Sequence, residues 1–139
     1  MTISFLIFAY RKPGTTPEHF QTYYEETHAP LLRELAGDTF PLSHTRRYVS
    51  RTTAAAPAAA DDGHNNAGHP AVVLRGEQAD FEYDCCSELV FADAAALEAF
   101  KARMTTGENA ARIAADEEHF LDRSRLPMVL LSATHTTTK

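Results

Sequence analysis

Length, composition and charge set the first limits on this protein. The chain has 139 residues, of which 44% are hydrophobic, and this is enough for one domain with a real core. Its formal net charge of −6 argues against a general basic surface for nucleic acid. No apolar run approaches the roughly 20 residues that cross a bilayer. We therefore expect a single cytoplasmic domain over residues 1–139 that binds neither nucleic acid nor membrane.

The N-terminal quarter predicts a strand followed by a helix. Residues 2–10 alternate, are rich in β-branched and aromatic side chains, and have no basic region typical of a signal peptide before them. Thr16 and Pro17 are typical of a helix start. The expected helix carries one stripe of mainly apolar residues at three- and four-residue spacing: Phe20, Tyr24, His28, Leu31 and Leu35. Pro30 should kink or restart the helix directly after His28.

Residues 40–51, with the sequence FPLSHTRRYVSR, predict the second strand and the centre of a candidate site. Alternation places His44, Arg46 and Tyr48 on one face. Arg47 lies on the other face. Imidazole, guanidinium and phenol groups are costly to bury without partners. The strand is therefore either an edge strand with a solvated basic face or the wall of a pocket that binds an anion and handles protons.

Residues 52–70 differ sharply in character from the rest of the chain. They are small and polar, contain Gly and Pro, and have no hydrophobic period, which predicts a flexible insertion. It is either a disordered loop or a lid over a pocket. His64 and His69 match no common metal-site spacing, so we expect no metal. Cys85 and Cys86 are neighbours, which rarely form a disulfide, and we expect both to be reduced.

The second half of the chain completes the expected fold. Residues 81–91 and 127–133 predict strands, and between them Asp93 caps a helix and residues 108–121 form a second helical stretch. The order corresponds to the α+β, ferredoxin-like β-α-β-β-α-β arrangement. Its helices cover one face of the sheet, so a second copy of the chain is an economical cover for the other face. We expect a homodimer with a pocket inside each protomer, between the sheet and the first helix.

Three segments resemble the EthD-like family of dimeric α/β barrels: YRKPGTTPEHF at 10–20, THAPLL at 27–32 and EEHFLD at 117–122. The resemblance covers the chain apart from the insertion. FLIFAYRKPG, AGDTFPLSHTRRYV and EYDCCSELVF resemble more closely a fungal branch of that family, whose members decarboxylate anthrone-type, atrochrysone-like carboxylic acids in aromatic polyketide pathways. This implies a lyase without a cofactor, because the ketone of such a substrate is itself the electron sink.

The same resemblance implies roles for residues already singled out by their chemistry. His28 would supply a proton, and His44 would donate a hydrogen bond to the enolate. Arg46 or Arg11 would hold the substrate carboxylate. The substrate-binding residues would be Arg11, Tyr10, Phe8, Tyr24, Arg47 and Tyr48.

Other functions remain open on the sequence because this fold hosts several chemistries. A polyketide cyclase or dehydratase would use the same histidines without an arginine on a carboxylate. A cofactor-free monooxygenase would consume oxygen, and a haem-binding barrel would need a histidine that ligates iron. A non-catalytic protein would bind the polyketide without turnover.

Overall fold

A four-stranded antiparallel sheet is the frame of the fold. The computed structural model describes residues 1–53, 66 and 68–139. Among them the strands are β1 (Ile3–Ala9), β2 (Ser43–Tyr48), β3 (Cys85–Phe91) and β4 (Met128–Leu130). The sheet order is β2-β3-β1-β4, and each neighbouring pair is antiparallel. This is the predicted α+β, ferredoxin-like arrangement. The strands end up to four residues inside the predicted bounds, and the C-terminal end of β3 at Phe91 agrees with its prediction.

Helices follow β1 and β3. The helical elements are α1 (Pro17–Tyr23), a π-helical turn (Tyr24–His28), α2 (Ala29–Ala36), α3 (Ala94–Met104) and α4 (Gly107–Glu117). Short 3₁₀ turns lie at Gly37–Thr39 and Gln78–Phe81. Thr16 caps α1 by accepting a hydrogen bond from the backbone amide of His19 at 3.1 Å. The predicted restart at Pro30 occurs as the π-helical turn before α2, where proline falls in the first turn.

The core lies between the helices and one face of the sheet. Cross-strand neighbours share a face, so Phe5 with Leu89 and Ala9 with Cys85 point the same way. One cluster of buried residues joins this face to α1 and the residues after α4: Ala9, Phe20, Tyr24, Cys85, Phe120 and Leu121. A second cluster, Leu35, Ala36 and Met104, joins α2 to α3.

The other face of the sheet carries partly exposed apolar side chains. Leu6, Phe8 and Val90 all lie there and are only partly buried. Val129, which pairs with Leu6, is 50% exposed. The described helices pack against the opposite face. The expected homodimer would cover this surface and stays a prediction.

Described residues close the base of the predicted insertion. Arg51 and Ala71 form an antiparallel bridge. The amide of Thr52 donates to the carbonyl of Pro70 at 3.0 Å. The predicted mobility of residues 52–70 falls mainly on 54–65 and 67, outside the described residues. Both cysteines are free thiols. Within the described part of the chain, no helix has the length and apolarity to cross a bilayer.

Candidate active site

A cavity of about 240 Å³ lies between the helix-covered face of the sheet and the helices. Its walls are mostly apolar and come from the sheet, α3 and α4, including Phe5, Leu89, Phe100, Met104 and Ile113. The polar or titratable side chains on its lining are Tyr24, His28, His44, Lys101, Thr105 and Glu117. A concave, mostly apolar pocket with a few convergent polar groups is the usual form of a small-molecule site.

His28 lies at the end of the π-helical turn and is 4% exposed. Its Nδ1 lies 2.7 Å from Oδ2 of Asp116 on α4. Burial lowers the pKa of His28, while the hydrogen bond to Asp116 works in the opposite direction. The imidazole is therefore neutral near pH 7. Because a carboxylate only accepts, Nδ1 carries the proton and Nε2 has a free lone pair.

His44, on β2, is connected to a chain of hydroxyl groups. Its Nε2 lies 3.3 Å from the hydroxyl of Tyr24, which lies 3.0 Å from Oγ of Ser87. Burial lowers the pKa of His44 to about 4, and the positive charge of Arg46 adds to the effect. Burial raises the pKa of Tyr24. Near neutral pH both groups are therefore uncharged and able to donate and accept hydrogen bonds.

Arg46 faces Glu25 rather than the cavity. Its Nε donates to Oε2 of Glu25 at 2.5 Å and its Nη2 donates to Oε1 at 2.9 Å. Tyr48 donates its hydroxyl proton to the same carboxylate at 2.5 Å. The hydrogen bond from Arg46 lowers the pKa of Glu25. This cluster links the π-helical turn to β2, beside the two histidines.

The remaining predicted binding residues do not line the cavity, with the exception of Tyr24. Arg11 is 2% exposed, and its guanidinium pairs with Asp84. Arg47 is exposed and lies 3.7 Å from Glu88 on the other sheet face. The Tyr10 ring lies against Arg125. Phe8 lies on the same face of the sheet as Arg47 and Glu88, away from the cavity, and its ring contacts Tyr83. The structure thus brings together His28, His44 and Tyr24, but not the three predicted arginines.

Sequence reasoning missed six polar residues of this region: Glu25, Ser87, Lys101, Thr105, Asp116 and Glu117. Ser87 sits among alternating strand residues as an ordinary small side chain. Asp116 lies in a predicted helix among other acidic residues. Its pairing with His28 spans 88 positions and leaves no local signal.

The fold and cavity define a ferredoxin-like α+β protein with two neutral histidines in an apolar pocket. Residues 12–124 match the EthD domain, so the chain belongs to the EthD domain family. This confirms the family that the sequence motifs resembled.

Two solved structures, both of EthD or EthD-like proteins, agree at the level of the fold. An EthD family protein of Bacillus halodurans is 18% identical with a TM-score of 0.56, over 96% of this chain and 100% of that one. An EthD-like protein of Ralstonia eutropha is 18% identical with a TM-score of 0.51, over 94% and 87%. SnoaB, a cofactor-independent oxygenase of Streptomyces nogalater, is 14% identical with a TM-score of 0.45, over 99% and 98%. The comparison with curated proteins gives no match.

Proposed function

We propose that this EthD protein is a cofactor-independent lyase of aromatic polyketide biosynthesis that removes carbon dioxide from an anthrone-type carboxylic acid. The observation that carries the proposal is the position of two neutral histidines, His28 and His44, on the lining of one mostly apolar cavity. The anthrone-type substrate comes from the closer resemblance of the sequence to the fungal branch of the family.

The apolar walls suit both the substrate and the reaction. A flat polycyclic ring system buries well against Phe5, Phe100 and Leu89. In decarboxylation the negative charge spreads from the carboxylate into the ketone. A site that excludes water therefore disfavours the localised charge of the reactant more than the dispersed charge of the transition state.

The polar residues of the cavity can stabilise the enolate and supply the proton that the reaction needs. The carbon–carbon bond to the carboxylate breaks, carbon dioxide leaves, and the electron pair moves into the ketone as an enolate. Tyr24 and His44 can donate hydrogen bonds to the enolate oxygen. His28 takes a proton from solvent on Nε2 and delivers it to the carbon, so one proton is consumed for each carbon dioxide released.

Lys101 is the side chain that can meet an acidic group of the substrate at the rim. Among the described residues on the cavity lining it alone carries a permanent positive charge. Its ammonium pairs with Glu98 at 3.0 Å and its side chain is 55% exposed. An anionic substrate would approach the rim through Lys101, while the reacting carbon lies deeper in the apolar region.

The test is incubation with an anthrone carboxylic acid, with the product followed by mass spectrometry and released carbon dioxide followed in parallel. Because β-keto acids also decarboxylate spontaneously, the measured quantity is the rate above a protein-free control. A variant with both His28→Ala and His44→Ala, shown to be folded by circular dichroism, is the matched control. A wild-type rate equal to that of the double variant would refute the lyase proposal.

A cyclase or dehydratase is the second candidate, and one observation favours it. The contact between Nδ1 of His28 and Asp116 leaves Nε2 as an acceptor, which suits removal of a proton from carbon. A dehydratase would give a product that has lost water, and a cyclase a product with the mass of the substrate. Both products would keep the carboxyl group. Oxygen uptake would instead indicate a monooxygenase, and tight binding without turnover a binding protein; each of these outcomes contradicts the lyase.

We also propose that two copies of the chain pack through the outer face of the sheet. Leu6, Phe8 and Val90 are partly exposed there, and a second copy packed on this face would remove these apolar side chains from water. Light scattering at micromolar concentration tests this. A stable folded monomer of 15.3 kDa would contradict the homodimer. The cavity lies within a single chain, so the lyase proposal does not depend on the dimer.

A further inference from the structure

Asp116 is a polar residue beside the cavity that has no task in the reaction as proposed above. Its side chain on α4 is 11% exposed. Both carboxylate oxygens are hydrogen-bonded: Oδ2 to Nδ1 of His28 and Oδ1 to the hydroxyl of Tyr23, each at 2.7 Å. Two partners on one carboxylate fix its orientation as well as its position.

This geometry determines how the imidazole of His28 is presented. A neutral imidazole has one donor and one acceptor nitrogen, and the partner of one nitrogen decides which tautomer is present. The carboxylate of Asp116 accepts the proton of Nδ1, so Nε2 is the nitrogen left for other partners. Because His28 lines the cavity, Nε2 is the nitrogen that can exchange a proton with a bound molecule.

We propose that Asp116 is a positioning residue for the reaction: it holds His28 in the tautomer protonated on Nδ1 and stabilises the imidazolium that forms when Nε2 takes up a proton. Tyr23 anchors the second oxygen of the carboxylate and keeps it aimed at the ring. The inference rests on the proposed function, in which His28 transfers the proton, but the tautomer can be observed without any substrate.

Other groups that face His28 do not offer the same interaction. The Phe120 and Tyr24 rings lie 4.8 Å and 5.5 Å from the imidazole, centroid to centroid. Glu117 on α4 acts on His28 only through longer-range electrostatics, and His28 acts in the same way on His44 of β2. Among the described residues, Asp116 is therefore the one whose carboxylate is directly hydrogen-bonded to the ring.

The first experiment records nitrogen-15 spectra of the protein with labelled histidine. We expect the His28 signals of the wild-type protein to show a protonated Nδ1 and an unprotonated Nε2 at neutral pH. In Asp116→Asn the amide can donate to Nδ1, and we expect signals of the Nε2-protonated tautomer to appear. A wild-type spectrum with the proton on Nε2 would overturn the inference, whether or not the protein is a lyase.

The second experiment measures turnover of the anthrone carboxylic acid. Asp116→Asn should lower kcat roughly 10²-fold or more with little change in KM, because binding is kept while proton transfer is impaired. Tyr23→Phe should lower kcat less, since the bond between Asp116 and His28 remains. Glu118→Gln removes the same charge one residue beyond α4, where the side chain is 64% exposed, and should leave kcat unchanged.

The outcomes separate the two proposals. If the wild-type protein shows no lyase turnover but has the expected tautomer, the proposed function fails, while the inference that Asp116 fixes the tautomer of His28 stands. If turnover is present and Asp116→Asn keeps both the wild-type tautomer and the wild-type kcat, the positioning role fails alone. Asp116→Glu, which keeps the carboxylate, should restore part of kcat relative to Asp116→Asn.

Discussion

Two groups of largely buried polar side chains, one around Asp84 and one formed by His28 and His44, differ in how completely they are paired. Asp84 bonds to the guanidinium groups of both Arg11 and Arg51, and the Arg51 side chain also donates to the carbonyls of Phe81 and Tyr83. His28 and His44 are paired at one ring nitrogen each and lie on the lining of an apolar cavity. A fully bonded cluster holds the chain together, whereas a cluster with a free acceptor beside a cavity can act on a ligand.

The largest effect should come from removing the histidines of the cavity. His28→Ala and His44→Ala should each lower turnover about 10²–10⁴-fold while the protein stays folded, since this is the usual contribution of acid–base groups. Steady-state rates on the anthrone acid and circular dichroism check both points. His135→Ala, in the exposed C-terminal tail, is the control and should behave as wild type. Near wild-type rates in both cavity variants would make these histidines structural.

The paired cluster should show the opposite response, with a loss of stability. Asp84→Ala leaves Arg11 and Arg51 without their shared carboxylate, and we expect it to cost roughly 3–5 kcal/mol of unfolding free energy. Urea denaturation measures this. Asp38→Ala breaks an exposed contact with Arg103, since Asp38 is 91% exposed, and should cost less than about 1 kcal/mol. Equal losses in the two variants would remove the distinction between the clusters.

The sequence predicts the secondary structure, which depends on neighbouring residues, but not the side-chain pairings between residues far apart in the chain. The alternation of residues 2–10 and the position of Pro30 define the first strand and the helix restart, because those signals act over a few residues. The alternation in β2 also places His44 on the same face as Arg46 correctly. The alternation does not show that the Arg46 guanidinium is hydrogen-bonded to Glu25, or that Arg11 is buried against Asp84. Those pairings are made by tertiary structure, and they take two arginines away from the expected carboxylate site.

The pH dependence of stability sharpens the comparison for His44. Burial lowers its pKa to about 4 in the folded state, against about 6.5 when unfolded. Below pH 6.5 the unfolded chain therefore binds the extra proton, and stability falls as the pH drops from 6.5 toward 4. Between pH 7 and pH 5 the unfolding free energy of the wild-type protein should fall by about 2 kcal/mol more than that of His44→Gln. Urea titrations at both pH values measure the difference, and parallel losses would show that His44 is not desolvated.

A smaller effect is expected at the rim of the cavity. Lys101→Met should raise KM by up to about fivefold and leave kcat nearly unchanged, because an exposed ionic contact contributes only about 0.2–1 kcal/mol. The effect should shrink at high salt. Lys139→Met removes the same charge at an exposed residue of the C-terminal tail, which does not line the cavity, and should change neither constant. A fall in kcat without a change in KM would place Lys101 in the chemical step instead.

The smallest effect on stability should come from replacing the insertion, because Arg51, a member of the Asp84 cluster, already closes its base. Arg51 bridges to Ala71, and its guanidinium donates to the carbonyl of His69 at 3.2 Å. The composition of residues 54–65 offers little to bury. Replacing them with a short Gly-Ser linker should therefore keep Tm within a few degrees, since loop closure depends only weakly on length. Thermal melts measure the stability of the variant, and its KM tests whether the insertion acts as a lid over the pocket. A raised KM with an unchanged Tm would support a lid. A collapse in Tm would show that the segment stabilises the sheet.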